Sequence, residues 1–334
     1  MQALPARHFR KVLITGAAGF IGSHLTERCL SLGAEVTGLD CLDDFYDPAL
    51  KRANLEACRA QAGFRFVEGD LRDPGRVKAL LGEKEPYDVV VHLAARAGVR
   101  PSLGNPALYV DVNVGGTLAV LEALRERPET RLVFASSSSV YGGRKEIPFR
   151  ETDDTSWTVS PYAATKKAGE VLCHTYHHLY GIPIFALRFF TVYGPRQRPE
   201  MAIASFARRM RTGEPIPVFG DGESARDYTF VSDIVDGVVR AMERVRGFEI
   251  FNLGESRTVK LSELVEKLGR ALGAVPRVET HPMQPGDVPL TCADVDKARR
   301  LLGYRPAIPI EKGLEAYARW LQNENTVPGQ FVHD

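Results

Sequence analysis

Disulfide chemistry has little to work with in this chain. Its 334 residues carry five cysteines, Cys29, Cys41, Cys58, Cys173 and Cys292, set far apart and with no C-x-x-C pair. Neither a disulfide framework nor a cysteine-ligated structural zinc site is indicated by that spacing, so the thiols are expected to be reduced. An excess of charge of one sign is also lacking. Forty-three Lys plus Arg stand against 42 Asp plus Glu, leaving no general field for nucleic acid or an anionic membrane, and any phosphate recognition has to be local. No apolar run approaches the ~18 residues of a membrane span, and positions 1–9 lead straight into a short strand where a signal peptide needs a longer apolar core. His174, His177 and His178 share one helix without carboxylate partners, so they read as helix surface and no metal is expected. The expected location is cytoplasmic, with neither nucleic acid nor membrane as partner.

What is present is an ordinary globular composition, 44% hydrophobic and 25% charged, long enough for about two domains. Short β-branched runs at 11–15, 35–40, 64–68, 88–93, 131–136 and 183–187 alternate with helical patterns at 20–32, 50–61, 74–81, 107–125 and 161–180. This alternation predicts an α/β fold, a doubly wound parallel sheet with helices on both faces. Beyond about residue 190 the chain is richer in Pro and Gly, which predicts a smaller C-terminal substrate-binding lobe. A helix at 232–244 and a strand at 249–253 are placed to return to the sheet. The predicted division is therefore a nucleotide-binding domain over 1–190 with a return of 228–254, and a lobe made mainly of 191–334. Ligands in such sheets bind outside the carboxyl ends of the strands.

The first strand runs into Thr15-Gly16-Ala17-Ala18-Gly19-Phe20-Ile21-Gly22 and then an apolar-periodic helix. Gly16 permits the tight turn, Gly19 lets backbone approach a pyrophosphate, and Gly22 lets the helix pack closely on the sheet. The helix N-terminus, including Phe20 and Ile21, offers unpaired N–H groups and a positive dipole. Asp40 ends the second strand, at about the distance where a carboxylate accepts from the adenosine ribose hydroxyls and repels a 2′-phosphate. The expected cofactor is NAD rather than NADP.

Ser137 follows the fifth strand, and Tyr162 and Lys166 form an i, i+4 pair on one helix face. A phenol near its ordinary pKa of ~10 is a poor base at neutral pH unless a cation stabilises the phenolate. Lys166 can be that cation, and Ser137 can donate to the substrate oxygen. The three make a proton-transfer unit beside a hydride acceptor.

At this point the chain resembles the extended short-chain dehydrogenase/reductase family. The residues that carry the resemblance are the glycine turn, Gly69-Asp70-Leu71, His92-Leu93-Ala94-Ala95, the Ser137 region and Tyr162-x-x-x-Lys166. It runs from about Lys11 to Leu321 and implies a Rossmann-type sheet. It also implies that Asp70 and Leu71 lie against the adenine, and that Leu93, Ala94 and Ala95 line the cofactor cleft. Relatives often form homodimers through the helices at 107–125 and 161–180. Here those apolar faces either pair two copies or simply cover the sheet.

Further motifs look like those of UDP-sugar enzymes. Gly220-Asp221-Gly222-x-x-x-Arg226-Asp227-Tyr228-Thr229 resembles the segment whose arginine holds the diphosphate, and Asp287, in Gln284-Pro285-Gly286-Asp287-Val288, resembles the carboxylate on the nucleotide ribose. Sugar dehydratases carry Asp-Glu where this chain has Ser138-Ser139, and decarboxylases show a glutamate where Ser139 stands. The segments from Ala97 to Ser102, including Arg100, from Arg188 to Pro199, and around Asp287 look like the UDP-glucuronate 4-epimerases. Cys41 departs from the asparagine usual after the ribose-binding aspartate. The resemblance implies a UDP-hexuronate substrate whose carboxylate meets Ser138, Ser139 and Thr191, with Arg198 on either the carboxylate or the nucleotide. A neutral UDP-glucose or UDP-N-acetylhexosamine 4-epimerase is the alternative. A decarboxylase or a non-catalytic dinucleotide-binding regulator fits the residues less well.

Overall fold

The computed structural model of the chain describes residues 4–282 and 288–324. In chain order the first half runs β1 (Lys11–Thr15), α1 (Phe20–Ser31), β2 (Glu35–Asp40), α2 (Pro48–Arg59), β3 (Phe64–Glu68), α3 (Pro74–Leu81), β4 (Val89–His92), α4 (Val99–Gly104), α5 (Pro106–Tyr109), α6 (Gly116–Arg125), β5 (Arg131–Ser137), α7 (Pro161–Tyr180) and β6 (Ile184–Phe189). The second half continues with β7 (Thr191–Tyr193), α8 (Ala202–Thr212), β8 (Ile216–Phe219), β9 (Ala225–Arg226), β10 (Tyr228–Phe230), α9 (Val231–Arg244), β11 (Phe248–Leu253), β12 (Val259–Lys260), α10 (Leu261–Leu272), β13 (Val278–His281), α11 (Asp296–Leu302) and α12 (Ile310–Glu324). Seven strands form one parallel sheet in the order β11-β6-β5-β4-β1-β2-β3.

Strand periodicity divides the core. In β1, Val12 and Ile14 face α1 and α9 with Leu25, Val238 and Met242, whereas Leu13 faces the opposite layer with Leu80, Leu124 and Cys173. Alternate side chains of a pleated strand point to opposite faces, so a strand buried on both sides is apolar throughout. Helix starts follow local chemistry: Asp47, Asp73 and Ser160 cap α2, α3 and α7, each followed by Pro at the first helical position. The second half builds its own apolar centre from Ile203, Phe206, Leu264 and Leu314. It also sends α9 and β11 back to the sheet, where β11 pairs with β6 in register Phe248 to Ile184.

Two expectations need correction. The continuous helix expected over 107–125 is interrupted: α5 ends at Tyr109, a π-helical turn spans Val110–Gly115, and α6 begins at Gly116. The wider turn brings Asn113 against the backbone of Arg96, where its Oδ1 accepts from the Arg96 N–H at 2.7 Å and its Nδ2 donates to the Arg96 carbonyl at 2.9 Å. Single π turns of this kind gather at functional sites. The same stretch, Pro106–Arg125, is long and apolar enough by length and composition to cross a membrane, contrary to the expectation that no run approaches that length. The apolarity has a structural origin. Val120, Leu121 and Leu124 are buried on the sheet side, while Val110 and Leu118 are exposed on the other.

Candidate active site

The carboxyl ends of β1, β2, β4, β5 and β6 open into one cavity of about 510 Å³. Its floor is the turn after β1. Gly16 has φ +74°, and a Cβ there would lie 2.8 Å from the Ala94 N. At Gly22 the Cβ would lie 2.0 Å from the Gly16 carbonyl oxygen. Turn, helix and the β4 end thus approach at distances only glycine allows. Gly19 occupies the N-cap of α1 without any side-chain cap, so the first N–H groups of that helix face the cavity. Asp40 accepts from the Ala18 N–H at 3.0 Å and from the Leu42 N–H at 2.9 Å. Burial raises its carboxyl, and these donors offset part of that. A cradle that side chains would fill, an uncapped helix start and a half-satisfied carboxylate together fit a dinucleotide: pyrophosphate on Gly19, Phe20 and Ile21, ribose on Asp40.

The neighbouring wall holds the residues expected on the adenine side. Asp70, Leu71, Leu93, Ala94 and Ala95 all line the cavity. Asp70 is gripped by Arg72, whose Nη2 donates to Oδ2 at 2.7 Å, and this partner holds its carboxyl below the usual range. Behind the wall His92 bridges Thr15 at 2.8 Å and Thr117 at 3.0 Å. Burial, with the nearby Lys166 charge, pushes the imidazole down to about 3, so it stays neutral.

The proton-transfer group stands at the far end. Ser160 and Pro161 start α7, which puts Tyr162 in the first turn and Lys166 one turn on. Tyr162 is half-buried and lines the cavity. Burial raises its phenol, while a hydrogen bond with Ser137 and the charge of Arg198 pull it back. Ser137 Oγ accepts from Ser139 Oγ at 2.9 Å and from the Ser139 N–H at 3.2 Å, which leaves its own proton to point at the phenol. Lys166 donates to the Ala135 carbonyl at 2.8 Å, and burial lowers the ammonium to about 8. Tyr109 packs edge-on to Tyr162 with ring centres 6.3 Å apart.

Of the expected substrate residues, Ser138, Ser139, Thr191, Arg198 and Arg226 line the same cavity. Arg198 pairs with Glu200 at 2.9 Å and lies 5.8 Å from the Phe45 ring centre. Arg226 Nη1 donates to the Ala225 and Pro289 carbonyls at 3.1 and 3.3 Å. Arg100 is not among the cavity residues; its guanidinium stacks 4.8 Å from the Phe219 ring centre. Asp287 lies outside the described residues. Sequence reasoning missed two neighbours. Arg96 pairs with Asp43 and stacks on Phe45 at 4.8 Å, and Asn113 secures the Arg96 backbone.

A doubly wound sheet with a glycine cradle, a ribose-type aspartate and a tyrosine-lysine-serine group gathered in one cavity defines an enzyme that moves hydride and proton together. Comparison with known proteins agrees. Residues 12–254 match the NAD dependent epimerase/dehydratase family, and the chain belongs to that family. It is 42% identical over 309 residues to the UDP-glucuronate 4-epimerase of Thermodesulfobacterium geofontis, covering 92% of this chain and 95% of that one. It is 42% identical to UDP-glucuronate 4-epimerase 3 of Arabidopsis thaliana over 95% of this chain and 77% of the relative. Among solved structures, the Bacillus cereus UDP-glucuronic acid 4-epimerase with UDP-glucuronic acid and NAD superposes with TM-score 0.88 at 36% identity, covering 94% of this chain and 99% of that one. The UDP-glucose 4-epimerase of Thermotoga maritima gives 0.87 at 31% identity, with the same two coverages.

Proposed function

We propose that the chain is an NAD-dependent 4-epimerase of a UDP-hexuronic acid, interconverting UDP-glucuronate and UDP-galacturonate. The observation that carries this reading is the convergence on one cavity of the Tyr162, Lys166 and Ser137 group with the hydroxyls of Ser138, Ser139 and Thr191. Bound NAD supplies the acceptor and later the donor of the C4 hydride. Tyr162, as phenolate, removes the 4-hydroxyl proton, leaving a 4-ketone. Lys166 stabilises the phenolate by charge, and Ser137 orients the phenol and the sugar oxygen. After the ketone turns over, Tyr162 returns the proton to the 4-oxygen as the hydride comes back to the opposite face of C4, so no net redox occurs.

Specificity for an acidic sugar follows from the donor set. A C6 carboxylate withdrawn from water needs donors, and the hydroxyls of Ser138 and Thr191, joined by Ser139 when its hydroxyl turns away from Ser137, supply them without adding an acid or base of their own. Where dehydratases carry Asp-Glu and decarboxylases a glutamate, this site has only hydroxyls. The 4-keto acid formed in transit loses carbon dioxide readily, and fixing the carboxylate away from the cleavage geometry suppresses that loss.

Two outer features belong to the same reading. Leu103, Val110 and Leu118 on α4 to α6, with Val171, Leu179 and Tyr180 on α7, are exposed apolar residues. They favour a homodimer, which sedimentation velocity tests. A cytoplasmic location is supported by five free thiols. The deciding experiment incubates the protein with UDP-glucuronate without reductant and follows the anomeric proton signals. Appearance of UDP-galacturonate is the expected result. UDP-xylose would establish a decarboxylase, and faster turnover of UDP-glucose would establish a neutral-sugar enzyme.

A further inference from the structure

Behind the substrate end of the cavity lies a carboxylate the mechanism does not use. Asp227 has no exposed surface and follows Arg226, between β9 and β10. Four donors from three segments converge on it. Oδ1 accepts from the Glu255 N–H at 2.7 Å and Thr229 Oγ1 at 3.1 Å. Oδ2 accepts from the Ala293 N–H at 2.9 Å and the Ser256 N–H at 3.0 Å. The backbone of the same residue continues the pattern: its carbonyl accepts from the Thr191 N–H at 3.0 Å, and its N–H donates to Thr291 Oγ1 at 3.3 Å. At Gly254 a Cβ would stand 2.9 Å from Asp227 Oδ2 and 2.6 Å from the Ala293 Cβ, so the packing leaves no room for a side chain there.

Of the segments tied to Asp227, those at Thr191 and 291–293 belong to the substrate wall, and Thr229 and 255–256 anchor it from outside the cavity. Thr191, Arg226 and Thr291 line the cavity, and the 289–293 segment runs along β9, with Ala225 N–H donating to Pro289 at 2.9 Å and Thr291 N–H to Ala225 at 3.1 Å. Alternation along an extended chain sends the Arg226 side chain toward the cavity and Asp227 into the core. An arginine holds a diphosphate bidentately only if its backbone is fixed, because an error of about 1 Å loses the fork geometry.

We propose that Asp227 is the positioning residue of the UDP grip: it fixes Arg226, Thr191 and the 289–293 segment as one wall without touching substrate. Burial raises its carboxyl to about 6, and the four donors work against that rise. Such a group serves as an acceptor for several strands at once. Its amide counterpart keeps shape and loses acceptor capacity on one of two atoms, leaving buried N–H groups unpaired.

This inference rests on the nucleotide-sugar reading, and binding of UDP alone separates the two, since a wild-type protein that binds UDP but epimerises nothing refutes only the reaction. The test compares Asp227→Asn with wild type as NAD-loaded protein. Calorimetry with UDP is expected to show at least ~10-fold weaker binding. NAD affinity should be unchanged, and KM for UDP-glucuronate should rise while kcat changes by less than about threefold. Thr229→Val, which removes one donor, is expected to weaken UDP about 2- to 5-fold and decides the matter if the Asn variant does not fold. UDP binding as tight as wild type in either folded variant overturns the proposal. Parallel loss of NAD and UDP overturns it too, since that marks a general structural role.

Discussion

The Lys166 ammonium, enclosed beneath the strand that carries Ser137, donates to the Ala135 carbonyl at 2.8 Å, with the Phe134 ring centre 5.4 Å from the same nitrogen. One carbonyl and a ring face replace much less than full hydration, which is why burial brings this group down to about 8. In the unfolded chain a lysine titrates near ~10.4. Between the two values the unfolded state binds more protons, so this group makes stability rise with pH from about 8 to about 10. Below pH 8 the full burial cost is present. Urea unfolding of wild type and Lys166→Met across pH 7 to 10 checks the sign: the rise should be smaller in the variant. An equal rise in both proteins assigns it to other groups.

Tyr162→Phe keeps the ring that packs on Tyr109 and removes only the transferable proton. Turnover of UDP-glucuronate is expected to fall roughly 10²- to 10⁴-fold, the usual worth of one acid-base group. NAD retained after gel filtration, read by absorbance, should match wild type. Wild-type turnover by the Phe variant would remove Tyr162 from the mechanism.

The strand end that presents Ser137 is braced by an enclosed ion pair. Arg188 Nε and Nη2 donate to Glu170 at 2.8 and 2.9 Å, and Ser136 Oγ donates to the same carboxylate at 2.6 Å. Arg188→Met leaves buried Glu170 with only Ser136 Oγ at 2.6 Å and the half-buried Lys167 at 3.5 Å, which is expected to cost about 3 kcal/mol, and Glu170→Leu on top of it should recover most of the loss. Denaturant titration of the single and double variants measures both steps. A single variant within ~1 kcal/mol of wild type contradicts the brace.

Gly22→Ala places a methyl 2.0 Å from the Gly16 oxygen. The turn must shift, so unfolding free energy should drop by about 1–3 kcal/mol and NAD should no longer copurify. A variant that still carries stoichiometric NAD shows that the cradle tolerates the extra carbon.

Features written in consecutive residues were readable from the chain itself. The glycine turn, Asp40 and the Tyr162–Lys166 pair each depend on one strand, one turn or one helix face, and the structure assembles them in a single cavity. What needed distant partners was not readable. The break at Val110–Gly115 depends on Asn113 finding the Arg96 backbone, and apolar periodicity carries no sign of it. Arg100 belongs to a motif that pointed to substrate, yet the Phe219 face claims its guanidinium. Asp227 looked like one letter of an arginine motif, because its donors at 229, 255, 256 and 293 come together only when the lobe is built.

The return of β11 to β6 carries a consequence for biosynthesis. Until residue 253 has left the ribosome, β6 ends the sheet with a bare row of amide and carbonyl groups over its full length, Ile184–Phe189. A nascent chain therefore spends the time needed to make some sixty further residues with an adhesive flank, and a fragment cut near position 190 inherits that flank permanently.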